Sequence, residues 1–403
     1  MARSRLKKKN RQIPYEAKVI DKNILSATYF GFNPIKTPQI IKNDQTLFKI
    51  INDPYSELPR AKSDFPLGPE ALEKISLLRT FNEWSLSALW HPVFVSFYKP
   101  LSGSDHRRRE NSVIYGLEIF GLQSSSAEGI LLRTLISILE DEGYTNLNIR
   151  INSLGDKESI NEFERAVGGF IRKNISEFPA ELRKLVKEDF FEICRKGAPE
   201  KFLESVPKSI NFLSEIPRNH LKETLEFIES FGIPYTIDHT LVASPYFCSE
   251  TIFEIETLKG LVPEVLASGY RYSRLSRKLG IFKKEVPSIG ATLLIRKKVK
   301  ASTPRKRVDP KFYLIQLGFP ARLLSLKVID ILRKNKIFLA HSLAKDKLQS
   351  QLLSAENLKV PYILIVGQKE AIENSVTIRN VSTRVQETVP LGNLVSYIKK
   401  LKL

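Results

Sequence analysis

AEGILLRTLISILEDE (Ala127–Glu142), then LNIRI (Leu147–Ile151) and NSLGD (Asn152–Asp156), is the stretch whose reading decides the fold class. The first string carries its apolar residues at helical spacing and predicts an amphipathic helix. The second is a short β-prone run, and Asn, Gly and Asp in the third predict a turn. Downstream, Glu177–Phe231 keeps mostly helical spacing, punctuated by Pro179, Pro199, Pro207 and Pro217, and Ile252–Glu256 reads as a strand again. Strands interrupted by a helical block predict an α+β body.

The last hundred residues have a different rhythm. Phe312–Leu317, Ile337–Ala340, Tyr362–Val366 and Ser375–Asn380 read as strands; Arg322–Asn335, Lys345–Asn357 and Leu391–Leu401 read as helices. Such alternation predicts an α/β layer sandwich. Between the two parts runs a basic, proline-containing stretch, Arg296-Lys297-Lys298 through Arg305-Lys306-Arg307, which reads as a linker. The predicted organisation is a basic tail at 1–14, a core at 15–295 with a helical insertion near 175–230, a linker at 296–310 and a second domain at 311–403.

The chain has 403 residues, 42% hydrophobic and 27% charged, which suits a globular protein and excludes bulk disorder. Lys+Arg 63 against Asp+Glu 44 gives +19. A surplus that large predicts a polyanionic partner, either nucleic acid or an acidic membrane face. Arg3, Arg5, Lys7, Lys8, Lys9 and Arg11 crowd the start; Arg107, Arg108 and Arg109 form an internal run; Lys298, Lys300, Arg305, Lys306 and Arg307 line the linker. These are the candidate RNA-binding residues, by salt-dependent contact with phosphates. Only Cys194 and Cys248 occur, and the five histidines make no ligand ladder, so no metal site is expected. No apolar run reaches the roughly 20 residues of a membrane span, and no secretory leader is recognisable, so a cytoplasmic protein without membrane contact is expected.

From these strings the residues become recognisable. Glu118-Ile119-Phe120-Gly121-Leu122-Gln123, the helix, and Ile151-Asn152-Ser153-Leu154-Gly155-Asp156 together resemble the core of histidyl-tRNA synthetases. Gly31-Phe32 through Ile35-Lys36-Thr37-Pro38 looks like class II motif 1, the dimer-interface segment, and Leu67-Gly68-Pro69-Glu70 stands where the family has Leu-Arg-Pro-Glu. Val366–Glu370 through Val376–Asn380 resembles the family's anticodon-binding domain. The resemblance implies an α+β class II core built on an antiparallel sheet, a C-terminal α/β anticodon-binding-like domain and a homodimer.

It also implies a reaction, the ATP-dependent joining of histidine to tRNA, and a set of groups to perform it. A cation must hold the α-phosphate as charge builds in the transition state. Aligned on Lys99-Pro100, Ser96 stands where motif 2 has arginine and Tyr98 where it has glutamate. Ala243 replaces the arginine of the histidine signature. Lys297 stands in motif 3 for an arginine whose planar fork lysine does not reproduce. Glu70 and Glu118 match the family glutamates that hold the amino group of histidine, and read either as a remnant amine site or as fold residues kept from an ancestor. Removing one phosphate-positioning group typically costs about 10²–10³ in rate, so the resemblance predicts a synthetase-like protein that has lost its reaction and binds tRNA or other RNA without cofactors. Two alternatives are a divergent active ligase, which would use ATP and magnesium, and a regulatory or scaffold subunit with a protein partner.

Overall fold

The computed structural model describes residues 19–51, 71–84, 92–100, 112–177, 204–242, 248–259, 262–296, 303–304 and 309–401. Among the described residues fifteen strands form three sheets. The largest draws on β2 (Asn33–Pro34), β3 (Val93–Pro100), β4 (Ser112–Phe120), β5 (Leu147–Ser153), β6 (Tyr235–Ile237), β7 (Ser249–Lys259), β8 (Val262–Arg271) and β9 (Ser288–Arg296). Their order is β2-β3-β4-β9-β8-β7-β5-β6. Only the edge pairs β2–β3 and β5–β6 are parallel; every inner pair is antiparallel. β1 (Val19–Ile20) pairs with β10 (Thr303–Pro304) inside the stretch read as a linker.

Helices cover both faces of the large sheet. On one face lie α1 (Lys22–Tyr29) and α4 (Ser126–Asp141). Helix α4 is buried over nearly its whole circumference, Ser126 through Leu139, because a helix that is apolar on most sides is stable only when covered on most sides. On the other face lie α3 (Ala71–Glu83), which packs beside α2 (Lys42–Ile51), and α5 (Lys157–Asn174), whose Ile160, Phe163, Val167 and Ile171 form the apolar stripe. Helix α6 (Glu215–Phe231) ends at Gly232 in the left-handed region, φ 70°. It packs on α4, where Gly129 leaves room for the Phe227 ring. The short α7 (Ser273–Lys278) follows β8.

The remaining strands, β11 (Phe312–Gln316), β12 (Leu339–His341), β13 (Tyr362–Val366), β14 (Ser375–Asn380) and β15 (Gln386–Pro390), form a sheet of order β12-β11-β13-β14-β15. It carries α8 (Phe319–Lys334), α9 (Leu348–Leu358), α10 (Gln368–Glu373) and α11 (Leu394–Lys400). Strand β15 is not anticipated by periodicity. It is a polar edge strand with only Val389 buried, so no alternation marks it. The segment read as one closing helix begins with a 3₁₀ turn at Leu391–Asn393 before α11. Asn152 and Ser153, read as turn, extend β5 opposite Ile252 and Thr251, and the turn begins at Leu154 with Gly155 at φ 71°.

The two parts share one hydrophobic core. Ile130, Leu135 and Leu139 of α4 belong to the same cluster as Leu324, Val328 and Ile329 of α8. Arg133 and Ser137 of α4 donate to Asp330 of α8 at 2.7 and 3.0 Å, and Arg333 donates to both Asp330 and Asp141. Burial raises the Asp330 carboxyl, but Arg133 and Arg333 outweigh it and hold it down to about 2. His341 of β12 meets the carbonyl oxygen of Tyr29 at 3.1 Å, and its Nδ1 is buried with no hydrogen-bond partner among the described residues. Burial pushes this imidazole down to about 4. Its folded-state pKa is depressed, so the unfolded chain takes up the proton first. Its stabilisation is complete above about 6.5 and is lost as pH falls from 6.5 to 4. Denaturant melts across that window are expected to show this decline, and His341→Gln to flatten it; an unchanged slope in the variant would remove His341 as the cause.

Candidate active site and its internal ion pair

Glu118 sits at the centre of the large sheet. Register aligns Val95 of β3, Glu118 of β4, Gly290 of β9 and Tyr270 of β8 in one row, so these residues share a face, the face covered by α3. Gly290 is required there. A Cβ on it would collide with the Glu118 carboxylate, so only glycine lets the side chain lie flat on the sheet. Gly116, opposite Phe97, likewise leaves room for that ring.

The Glu118 carboxylate is fully engaged. Oε1 pairs with Nζ of Lys74, which α3 brings down onto the sheet, and Oε2 accepts from the Tyr272 hydroxyl at 2.6 Å. Lys74 and Glu118 are each 1% exposed. The Lys74 ammonium lies 4.9 Å from the centroid of the Tyr272 ring and 5.9 Å from that of Tyr270. Burial pushes the Glu118 carboxyl up to about 7, against the opposing pull of Lys74 and Tyr272. At the rim Lys99 donates to Glu73 at 2.6 Å.

Ser96 is not brought to this site. It pairs with Leu117 in register, which turns it toward the opposite face of the sheet with Phe94 and Tyr98. It is buried and its hydroxyl has no hydrogen-bond partner among the described residues. The β3 residues beside Glu118 are Val93, Val95 and Phe97, all buried and apolar. A shift of one residue flips a strand's faces, and anchoring on Lys99-Pro100 does not fix which face each residue takes.

Arg271 also belongs to the far face. Its guanidinium is completely buried, donates to Glu128 through Nε and Nη2 at 2.6 and 2.7 Å, and reaches the carbonyls of Leu122 and Ser124. His220 meets the same Glu128 at 2.8 Å. Burial works against the Glu128 charge, but Arg271 and His220 overcome it and hold the carboxyl down to about 2. Asp238, beside His239, is paired with Arg150. These are fold-holding pairs.

Glu70, Ala243, Lys297, Arg107–Arg109, the residues of the basic tail and Lys298, Lys300, Arg305, Lys306 and Arg307 lie outside the described residues. Arg296 ends β9 and pairs with Glu264 at 3.1 Å. Among the described residues no three His, Cys, Asp or Glu side chains converge as metal ligands, and no helix is long and apolar enough to cross a membrane. Sequence reasoning missed Lys74. Its signal is a lone charge in the buried stripe Ala71, Lys74, Ile75, Leu78.

Residues 311–401 match the model of the anticodon binding domain family. The chain is 26% identical over 340 residues to the histidine–tRNA ligase of Bacillus subtilis (strain 168), covering 80% of this chain and 78% of that protein. It is 25% identical over 359 residues to the chloroplastic histidine–tRNA ligase of Pyropia yezoensis, covering 85% and 81%. The crystal structure of apo S. aureus histidyl-tRNA synthetase superposes with a TM-score of 0.50 at 22% identity, over 93% of each chain. An antiparallel core sheet, a C-terminal domain matching the anticodon binding domain family at 311–401 and sequence similarity over most of its length make the chain a divergent relative of the histidine–tRNA ligases.

Proposed function

We propose that this chain is a histidyl-tRNA synthetase-like protein that binds tRNA or other RNA and does not activate histidine. The Lys74–Glu118 pair carries the reading. In the family's chemistry a glutamate at the Glu118 position receives the amino group of histidine, and here that carboxylate already holds an internal ammonium and a phenol hydroxyl. The neighbouring β3 face is supplied by Val93, Val95 and Phe97, which offer a phosphate neither charge nor donor. RNA binding is supported by the anticodon-binding domain at 311–401 and by the +19 charge. The motif 1-like segment around Pro38 would face the partner in a homodimer, and a cytoplasmic site of action suits an RNA partner.

The relatives' printed name, histidine–tRNA ligase, favours the competing reading of a divergent active ligase. Such an enzyme would take ATP and magnesium, with its cations drawn from Arg107–Arg109 and Lys297. Histidine-dependent ATP–pyrophosphate exchange separates the two. The expected rate is at background, because each missing phosphate-positioning group costs about 10²–10³; a reproducible histidine-dependent rate overturns the non-catalytic reading. Sequencing of RNA that co-purifies at moderate salt is expected to show tRNA enriched, and absence of any RNA would transfer the function to a protein partner.

A further inference from the structure

Helix α3 spends one position of its buried stripe on a lysine. Burial of an ammonium is costly unless it is paired and hydrogen-bonded, and an ion pair of this kind is often replaceable by apolar residues without loss. The surroundings of the Lys74 ammonium are more elaborate than a pair requires. A carboxylate faces it, the Tyr272 hydroxyl occupies the second carboxylate oxygen, two tyrosine rings lie within 6 Å of it, and Gly290 keeps the floor open for the carboxylate. A carboxylate with aromatic faces around a buried cation is how proteins recognise ammonium ligands.

We infer that Lys74 is a tethered occupant of an ammonium-binding site. Helix α3 supplies, from within the chain, the alkylammonium group that a free primary amine or amino acid would bring, and the site is thereby closed to free amines. The inference depends on the proposed function only in equating Glu118 with the family's amino-group position; the cage itself stands on the contacts above. Clearing the site should therefore convert an intramolecular contact into a binding site for primary alkylammonium ions.

The test uses the full chain with Lys74→Ala and follows thermal unfolding with n-butylammonium chloride, n-butanol or sodium chloride added. The variant is expected to melt roughly 5 °C or more below the parent, because Glu118 is left without its cation. Millimolar n-butylammonium is expected to restore at least half of the loss, the neutral alcohol and the salt none of it. Adding Glu118→Gln should abolish the recovery. The parent should not respond to the amine at all. Should Lys74→Ala be insoluble, refolding is expected to yield soluble protein only with n-butylammonium present. Recovery that does not distinguish amine from alcohol, no recovery with the amine, or an equal response of the parent overturns the inference. Exchange at background without amine rescue removes this inference and leaves the proposed function standing; amine rescue together with histidine-dependent exchange removes only the non-catalytic reading.

Discussion

Replacing Arg271 by leucine is expected to cost about 3–5 kcal/mol of stability, the cost of leaving one member of a buried pair uncompensated. The guanidinium and the Glu128 carboxylate are both inaccessible to solvent, so water cannot take over for a lost partner. Removing Arg271 leaves Glu128 facing His220 alone and strands the carbonyls of Leu122 and Ser124. The double variant Arg271→Leu, Glu128→Leu is expected to lose less than the sum of its two single changes, since the fully buried pair is removed together and only the less buried Glu250 and His220 lose a partner. Urea denaturation of the four proteins of this cycle measures the coupling directly. Additive losses would show that the two side chains do not act as a pair.

Asp330→Ala is expected to cost about 3 kcal/mol, at the lower end of the same range. The carboxylate gathers Arg133, Arg333, Lys334 and Ser137 at the seam between α4 and α8. Its removal leaves two nearly buried guanidiniums, although Glu140 still meets Arg133 and Asp141 still meets Arg333. That remaining acid is why the loss is set below that at Arg271. The contribution has a pH signature of its own. The folded-state carboxyl sits near 2, so its stabilisation is present above about 4 and lost as pH falls from 4 toward 2, below the window assigned to His341. Denaturant midpoints at pH 7 and pH 3 should therefore differ less in the variant than in the parent. A loss below about 1 kcal/mol at pH 7 would mean that the seam is held by apolar contacts alone.

The sequence exposed those elements that carry enough apolar residues to show a spacing or a continuous run. Arg322–Asn335 and Tyr362–Val366 read correctly because the first keeps helical spacing and the second is a continuous apolar run buried on both faces, and α8 and β13 follow within a few residues. Strand β15 was invisible because an edge strand with one buried residue has no pattern to show. The same distinction runs through the site. Glu118 was found because its string is local, but its partner Lys74 is 44 residues away and reaches it from another layer. Nothing in linear spacing encodes a contact between a helix and the sheet beneath it. Ser96 shows the opposite limit. Its string was legible, yet which face a strand residue takes depends on register with β4, and the hydrogen-bonded ladder turns Val95 and Phe97 toward Glu118.

The shared core of α4 and α8 bears on how the molecule holds together. Each part presents the other with a large apolar face and with charges that pair across the seam, Arg133 with Asp330 and Arg333 with Asp141. In energetic terms the pieces on either side of the 297–308 connection resemble two subunits that a peptide also joins, because shared packing and ion pairs hold them besides the chain. The connection sets their stoichiometry and local concentration. Part of it is itself folded, since Thr303 and Pro304 pair with Ile20 and Val19 and so tie the connection back to the start of the core.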